Sequence, residues 1–118
     1  MKKGQVKDSV NDIELTFWIG KNAQNNWDII DQADKNDIWF HLSDYPSAHV
    51  ILRNSEKNLT IKDISKQTLK ECAIHCKLNS KMRNSNHDLS VIYTEIKNVK
   101  KADKIGAVHT KNTKNIKI

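Results

Sequence analysis

The sequence is poor in the residues that divide a chain into separate units. It contains one proline, three isolated glycines, no repeat and no low-complexity stretch. This excludes a glycine-rich phosphate-binding loop and an interdomain linker. A chain of 118 residues is long enough for one compact domain and too short for two. We therefore expect one domain over residues 12–118, preceded by a polar, flexible N-terminus at residues 1–11.

Long apolar runs and cysteines are also scarce. No uncharged apolar stretch exceeds six residues, whereas a membrane-spanning helix needs about 20. The basic N-terminus leads into polar residues, so no signal peptide is readable. Two cysteines, Cys72 and Cys76, are too few for a disulfide framework and favour a reducing compartment. The expected location is cytoplasmic, with no membrane span.

The net charge of +6 is unevenly distributed along the chain. Residues 97–118 contain seven lysines and one acid, Asp103, whereas residues 1–96 are neutral in sum. Clustered lysines favour binding to a polyanion, because they release counterions from a phosphate backbone. A lysine-rich segment that maintains solubility is the alternative. The 18 lysines, 2 arginines and 13 asparagines also fit an AT-rich genome, so charge alone leaves both interpretations open.

Hydrophobic patterning predicts an α+β fold with a largely antiparallel sheet. Strict alternation over residues 13–19 indicates a half-buried strand that ends at Gly20. Residues 21–26 are predicted as a polar turn, and about 27–33 as a short helix. Three- and four-residue spacing predicts one long helix at about 65–81. Further strands are expected at residues 89–96, 107–110 and 115–118, the last two flanking a turn.

Two short apolar runs, residues 37–42 and 48–53, predict an antiparallel hairpin with a loop centred on Tyr45. This register pairs Phe40 with Val50 and Trp39 with Ile51. The even-numbered positions are all apolar and form the core face. The other face is polar and aromatic, and carries Asp37, Trp39, His41, His49, Ile51 and Arg53. We therefore predict that Trp39 and His41 lie on the opposite face from Phe40, since a slip of one residue would reverse the faces.

Candidate metal and catalytic residues are few. Cys72, His75 and Cys76 share one helix, but a fourth ligand has no obvious source, and cysteines at such positions are usually core residues. His41 and His49 are expected to be cross-strand neighbours, a pair suited to metal binding, proton transfer, nucleic-acid contact or plain structural hydrogen bonding. There is no nucleophile elbow and no pair of carboxylates in an apolar setting. We expect no metal, no cofactor, no catalytic residue and no enzyme activity.

Several motifs resemble the NFACT-R domain family. The matching segments are Gly20-Lys21-Asn22, Asp37-Ile38-Trp39-Phe40-His41 and Pro46-Ser47-Ala48-His49-Val50. The resemblance continues through Val91–Thr94, Lys97, Val99–Lys101 and Gly106–Val108, so it covers roughly residues 13–118. Two departures occur: Ser47 follows Pro46 where the family has glycine, and Asp103–Gly106 replaces a Lys-Pro-Gly segment.

The resemblance implies binding of RNA or another nucleic acid without chemistry. NFACT-R domains occur in ribosome quality-control factors of the RqcH and NEMF type, and in small stand-alone proteins similar to coiled-coil domain-containing protein 25. The amino-acid sequences of Ser47–Val50 and Leu69–Ala73 are more similar to the stand-alone branch. The expected partners are RNA (tRNA or rRNA) and a ribosomal or quality-control protein.

The nucleic-acid-binding residues expected from these observations combine lysines for phosphates with flat side chains for bases or sugars. They are Lys21, Asn22, Trp39, His41, His49, Arg53, Lys97, Lys100, Lys101 and Lys104. Alternatives are a protein-interaction module, a DNA-binding module and, less well supported, a histidine-dependent hydrolase. The sequence leaves the oligomeric state open.

Overall fold

In a computed structural model, which describes residues 1–118, one six-stranded antiparallel sheet organises the molecule. The strands are β1 (Lys2–Asp8), β2 (Ile13–Ile19), β3 (Ile38–Leu42), β4 (Val50–Leu52), β5 (Ser90–Glu95), β6 (Val99–Lys101), β7 (Val108–Thr110) and β8 (Lys114–Lys117). The helices are α1 (Ala23–Gln32) and α2 (Lys66–Leu78). The sheet order is β1-β2-β4-β3-β5-β8, and β6 and β7 form a separate hairpin. The fold is thus α+β, and neither helix combines the length and apolar content that a membrane crossing requires.

Both faces of the sheet are covered, which gives the molecule three layers. Helix α2 packs on the face that carries Phe40, where 16 buried residues form the larger core. The opposite face carries Trp39, and a smaller core there joins α1 and the β6–β7 hairpin to the sheet. Its seven buried residues are Trp18, Ile29, Ile30, Trp39, Ile51, Ile96 and Val99.

The register predicted for the central hairpin is confirmed. Phe40 pairs with Val50 and Trp39 with Ile51, and the two rings belong to the cores on opposite faces of the sheet. The polar, aromatic face is nevertheless not a surface. Trp39 is 1% exposed, because α1 and the β6–β7 hairpin cover the odd-numbered side chains.

The N-terminal segment differs from the expected flexible stretch at residues 1–11. Residues Lys2–Asp8 form β1, an edge strand paired along its whole length with β2. Only Val6 and Asp8 of this strand are buried. A single apolar side chain gives almost no alternation to detect, and the strand forms because β2 supplies the complementary backbone edge. The domain therefore begins within the segment that hydrophobic patterning excludes from it.

Both helices differ from their predicted bounds at one end. Helix α1 begins at Ala23, within the stretch predicted as a polar turn, because the Asn22 side chain caps it by accepting from the Asn25 backbone N–H at 2.8 Å. Helix α2 begins after the Ser65 cap as expected but ends at Leu78, where the Asn79 side chain donates to the His75 carbonyl.

The lysine-rich C-terminal segment folds differently from the predicted hairpin. Strand β7 pairs with β6, a strand that the sequence does not indicate, and β8 pairs with β5 at the edge of the main sheet. Three-residue strands such as Val99–Lys101 are too short for a detectable period, so their pairing depends on tertiary contacts.

Candidate nucleic-acid interface

An open cleft of about 800 Å³ lies at one end of the sheet, and we call it the end cleft. The end of β2, the end of β3, the loop before β4, the start of α1, the segment after α2 and the loop before β7 all contribute to it. Its lining comprises Lys2, Gly20, Lys21, Asn22, Ala23, Asn26, His41, Tyr45, Pro46, Ser47, Ala48, His49, Asn79, Ser80, Lys81, Met82, Ile105 and Gly106. Parts of three motifs separated in the sequence thus meet at this end: residues 20–22, His41 and residues 46–49.

The chain around Gly20 connects β2 tightly to α1. A Cβ atom at Gly20 would lie 1.9 Å from Asn26 Oδ1, so only glycine allows the Asn26 amide to approach. Asn26 Oδ1 accepts a hydrogen bond from the His49 backbone N–H at 3.2 Å, and the Gly20 N–H donates to the His49 carbonyl at 3.0 Å. These bonds hold the end of β2, helix α1 and the start of β4 together beneath the cleft.

His49 is a buried, neutral ring in the floor of the end cleft. Trp39 Nε1–H donates to His49 Nδ1 at 3.0 Å, which makes Nδ1 the acceptor and places the ring proton on Nε2. Burial, and after it the positive charge of a protonated His41, lower the pKa of His49 to about 3, and a hydrogen bond to the backbone of Gly106 opposes this only in part. His49 therefore carries no charge at neutral pH and positions its neighbours.

His41 lies beside His49 and is partly exposed to the cleft. The two rings meet edge to face with centroids 5.1 Å apart, and the His41 ring lies parallel to Trp39 at 5.8 Å. His41 Nδ1 is 2.6 Å from the Leu42 carbonyl, so this nitrogen carries the proton and Nε2 is the free ring nitrogen. Burial lowers the pKa of His41, with the Leu42 hydrogen bond opposing the change. The neutral imidazole thus offers an acceptor to a ligand.

The loop before β7 forms one wall of the end cleft. Gly106 has a φ of +86°, and a Cβ there would lie 2.9 Å from the Cβ of Ala23. Trp27 Nε1–H donates to the Ala107 carbonyl at 2.9 Å and so fixes the loop against α1. Ile105, in the same loop, stays 52% exposed at the rim of the cleft.

The charged side chains that line the end cleft are all positive. Its lining includes Lys2, Lys21 and Lys81 and no carboxylate, and none of the three lysines forms an ion pair. Lys2 Nζ donates to Asn79 Oδ1 at 2.8 Å, which ties the start of β1 to the end of α2. A concave, lysine-lined site without carboxylates suits a phosphate-bearing ligand.

Arg53 does not lie at the end cleft with His41 and His49. Its Nε donates to buried Asp37 at 2.5 Å, Asp34 and Glu56 also pair with its guanidinium, and the group lies 4.2 Å over the Trp18 ring. This network fixes the start of β3 to the end of β4, at the far end of the strands from the cleft. The expectation that Arg53 shares a surface with the two histidines is wrong. Because β3 and β4 are antiparallel, Arg53 lies beside Asp37 at one end of the strand pair, and His41 and His49 lie at the other end.

The predicted lysines of residues 97–104 are exposed but differ in their contacts. Lys97 pairs with Glu95 at 3.5 Å. Lys101 binds Asp31 and lies 5.5 Å from the Trp27 ring, so it joins β6 to α1. Lys100 and Lys104 have no ion pair, and Lys104 directly precedes Ile105 of the cleft wall.

Cys72 and Cys76 are free thiols in the core beneath the sheet, as their position on the apolar face of the helix predicts. Burial raises the pKa of both thiols, which makes them unreactive. The His75 ring packs against Phe17 instead, with centroids 4.5 Å apart. Nowhere in the chain do three or more His, Cys, Asp or Glu side chains meet in a group suited to a metal ion.

Sequence reasoning misses several residues of the cleft, among them Lys2, Tyr45, Lys81 and Ile105. It assigns Lys2 to a flexible terminus, and Lys81 to the last turn of a helix that in fact ends at Leu78. It treats Tyr45 only as the centre of a loop. Tyr45 and Ile105 could have been identified from the sequence, because each is a large apolar residue within a polar loop. Such side chains do not pack in the core and often contact ligands.

Comparison with known proteins agrees with this picture. The model of the family described as NFACT protein RNA binding domain matches residues 6–116. Coiled-coil domain-containing protein 25 from Mus musculus is 38% identical over 112 residues, which cover 93% of this chain and 53% of that protein. The Rqc2 homolog RqcH from Bacillus subtilis is 38% identical over 88 residues, or 74% of this chain and 14% of that one.

A solved structure has the same fold. The C-terminal part of the fibronectin/fibrinogen-binding protein from Streptococcus suis superposes with a TM-score of 0.80 at 26% identity, over 100% of this chain and 46% of that chain. The chain therefore spans about half the length of its coiled-coil domain-containing relatives and of this structure.

Proposed function

The chain belongs to the NFACT protein RNA binding domain family, and from this membership and the geometry of the end cleft we propose that it is a non-catalytic RNA-binding module acting on tRNA or ribosomal RNA. The similarity to RqcH supports a role connected with ribosome quality control. A cytoplasmic location is part of the same proposal.

The observation that carries the proposal is the electrostatic character of the end cleft. Three lysines without ion pairs line a concave surface that contains no carboxylate. Neutralising the phosphate backbone dominates the affinity of proteins for nucleic acids, and cations without an ion pair can do so without first leaving an acidic partner. Lys104 precedes Ile105 of the cleft wall and is proposed to extend the positive surface there. Lys97, Lys100 and Lys101 are proposed as further phosphate-binding residues outside the cleft.

The predicted residues take different roles in this proposal. Lys21, Asn22 and His41 line the cleft and are proposed to contact RNA directly. Trp39 and His49 are buried behind them and position the cleft floor. Catalysis has no part in the proposal, since His49 is buried and neutral and its Nδ1 accepts from the Trp39 N–H.

The test is a titration of the purified chain with tRNA at several salt concentrations. We expect the logarithm of affinity to fall linearly with the logarithm of salt concentration. Replacing Lys97, Lys100 and Lys101 with glutamine should flatten that slope by roughly 0.7 to 0.9 for each phosphate that is no longer neutralised. The matched control replaces Lys57, Lys62 and Lys66, which are exposed and lie toward the start of α2, away from the cleft.

Two outcomes of this titration would count against different claims. If tRNA and ribosomal RNA fragments are not bound at low salt, the proposed function is wrong. If RNA binds but both triple variants behave alike, residues 97–101 do not contact RNA and their charge serves solubility.

A protein-docking function is the second candidate. The Streptococcus suis relative is named for binding fibronectin and fibrinogen, and Tyr45 and Ile105 give the rim of the end cleft an exposed apolar character. This function predicts an affinity for a protein partner that changes little between low and high salt, and no competition by tRNA.

A further inference from the structure

The concave shape of the end cleft limits how RNA can enter it. Its volume of about 800 Å³ lies within the range of sites that enclose a small molecule, roughly 300–1,000 Å³. Duplex RNA keeps its bases stacked inside the helix and is contacted from its outer surface. A base reaches a pocket only when it is unstacked from its neighbours.

The rim of the end cleft carries two large apolar side chains exposed to solvent. Tyr45 is 43% and Ile105 52% exposed, and they are two of only four large hydrophobic residues with this degree of exposure. They come from different loops, the one before β4 and the one before β7. Flat or apolar side chains in this position suit the face of a nucleobase, and stacking of this kind tolerates any base.

The floor of the end cleft supplies a hydrogen-bond acceptor. His41 Nδ1 is engaged with the Leu42 carbonyl, which leaves Nε2 without a partner in the protein. An unprotonated nitrogen beside the rim can accept from a ribose hydroxyl or a base amino group.

We propose that the end cleft holds one unstacked nucleotide of a single-stranded RNA segment, with its base against Tyr45 and Ile105 and its phosphate among Lys2, Lys21 and Lys81. The inference rests on the proposed RNA binding and specifies its ligand: an unpaired nucleotide, such as those of loops and strand ends. Recognition is expected to be tolerant of sequence, because base stacking and phosphate neutralisation dominate it.

The experiment compares a 12-nucleotide single-stranded RNA with the same strand in a blunt-ended duplex, both titrated with the full chain. The single strand should bind more tightly. Tyr45→Ala should weaken its binding by about 5- to 150-fold, the effect of losing one stacked base. Tyr45→Phe keeps the ring and should retain affinity. Duplex binding should be the same for all three proteins.

Ile105→Ala provides a second arm with a matched control. Val10→Ala removes an exposed aliphatic side chain from the β1–β2 turn, at the opposite end of the sheet. Single-stranded RNA should lose affinity for the Ile105 variant and not for the Val10 variant. Thermal melting of each variant checks that the fold is intact.

Photocrosslinking locates the nucleotide independently. RNA containing 4-thiouridine should crosslink to the peptide that carries Tyr45. Crosslinks confined to residues 97–101 and 111–117, or unchanged single-strand affinity in both the Tyr45→Ala and Ile105→Ala variants, would overturn the nucleotide pocket while RNA binding itself stands. Failure of the wild-type chain to bind either RNA would instead overturn the proposed function.

Discussion

The indole N–H of Trp39 has one acceptor, the Nδ1 atom of His49, 3.0 Å away in a site that neither water nor a base can reach. The bond fixes the His49 tautomer, and His49 in turn contacts the His41 ring that lines the end cleft. At the scale of single residues, this buried pair determines where the cleft floor lies.

Because the Trp39 ring is buried and does not line the cleft, Trp39→Phe should affect stability far more than RNA binding. Phenylalanine leaves His49 Nδ1 as a buried acceptor without a partner, which costs about 1–3 kcal/mol, and the smaller ring leaves a packing defect. Urea denaturation measures the free energy of unfolding, and RNA titration of the folded variant measures binding. A variant with wild-type stability and weakened RNA binding would show that the ring contacts RNA directly.

The close contact between Gly20 and Asn26 can be tested with the variants Gly20→Ala and Asn26→Ala and their double variant, by measuring the free energy of unfolding of each. A Cβ at Gly20 would displace Asn26 Oδ1 and leave the His49 N–H without its acceptor, which costs about 1–3 kcal/mol. Asn26→Ala removes the same acceptor. The cost of the double variant should be well below the sum of the two single costs, because removing the amide makes room for the new Cβ. Additive costs would contradict this close approach.

At the scale of elements, Asp8 connects the end of β1 to the start of α2. Its Oδ2 accepts from the Ser65 N–H at 2.9 Å, and its Oδ1 accepts from Val10 and Asn11 in the β1–β2 turn. Burial acts to raise the pKa of Asp8, but hydrogen bonds from Ser65 and Asn11 outweigh it and lower the pKa from 3.8 to about 2.

The lowered pKa of Asp8 predicts the direction in which the free energy of unfolding changes with pH. Because the folded pKa lies below the unfolded one, the ionised carboxylate stabilises the fold by about 2 kcal/mol above the unfolded pKa. That contribution is lost as the pH falls from about 4 to about 2. Asp8→Asn should lower the free energy of unfolding at pH 7, and the gap to the wild type should narrow over the acidic interval. A gap that urea denaturation finds constant from pH 7 to pH 2 would contradict it.

The elements that could be predicted are those whose side chains show a clear period. Strand β2 alternates strictly, so its bounds followed from the residues. The central hairpin has an apolar even-numbered face, so its register followed too, although β4 is shorter than the predicted run of residues 48–53. Strands β1 and β6 lack that signal, because each has a single buried valine and one apolar residue cannot show an alternating pattern. The start of α1 depends on the Asn22 cap. Asparagine is common both in turns and at helix N-caps, so the sequence does not show which of the two forms here.

At the scale of the whole molecule, the charge excess of residues 97–118 does not form one separate patch. Lys97 and Lys101 pair with acids, and Lys114 and Lys117 lie on the edge strand β8. The lysines of the end cleft come from the part of the chain whose charges sum to zero. Counting charges along the sequence cannot show which lysines have acidic neighbours in the fold, so it identifies the basic character and misses Lys2 and Lys81.

The same limit explains the misassigned polar face of the hairpin. Alternation shows that Trp39 and Phe40 point in opposite directions, but not that a second layer covers the Trp39 side. That layer comes from α1 and the β6–β7 hairpin, which are distant in sequence. The family motifs indicated residues 20–22, His41 and residues 46–49, which the fold does bring together in one cleft. Lys2, Tyr45, Lys81 and Ile105 of its lining became evident only from the assembled loops.

The central claim is that RNA phosphates lie in the end cleft, and a matched pair of double variants tests it most directly. Lys21→Gln/Lys81→Gln removes two cleft cations, whereas Lys66→Gln/Lys70→Gln removes two exposed cations from the first half of α2. Both lower the net charge equally. For single-stranded RNA, the cleft variant should lose affinity and its log–log salt slope should flatten by about 1.4, at roughly 0.7 for each neutralised phosphate, with the α2 variant close to wild type. Equal slopes and equal affinities for the two variants would contradict the claim and place the RNA elsewhere on the molecule.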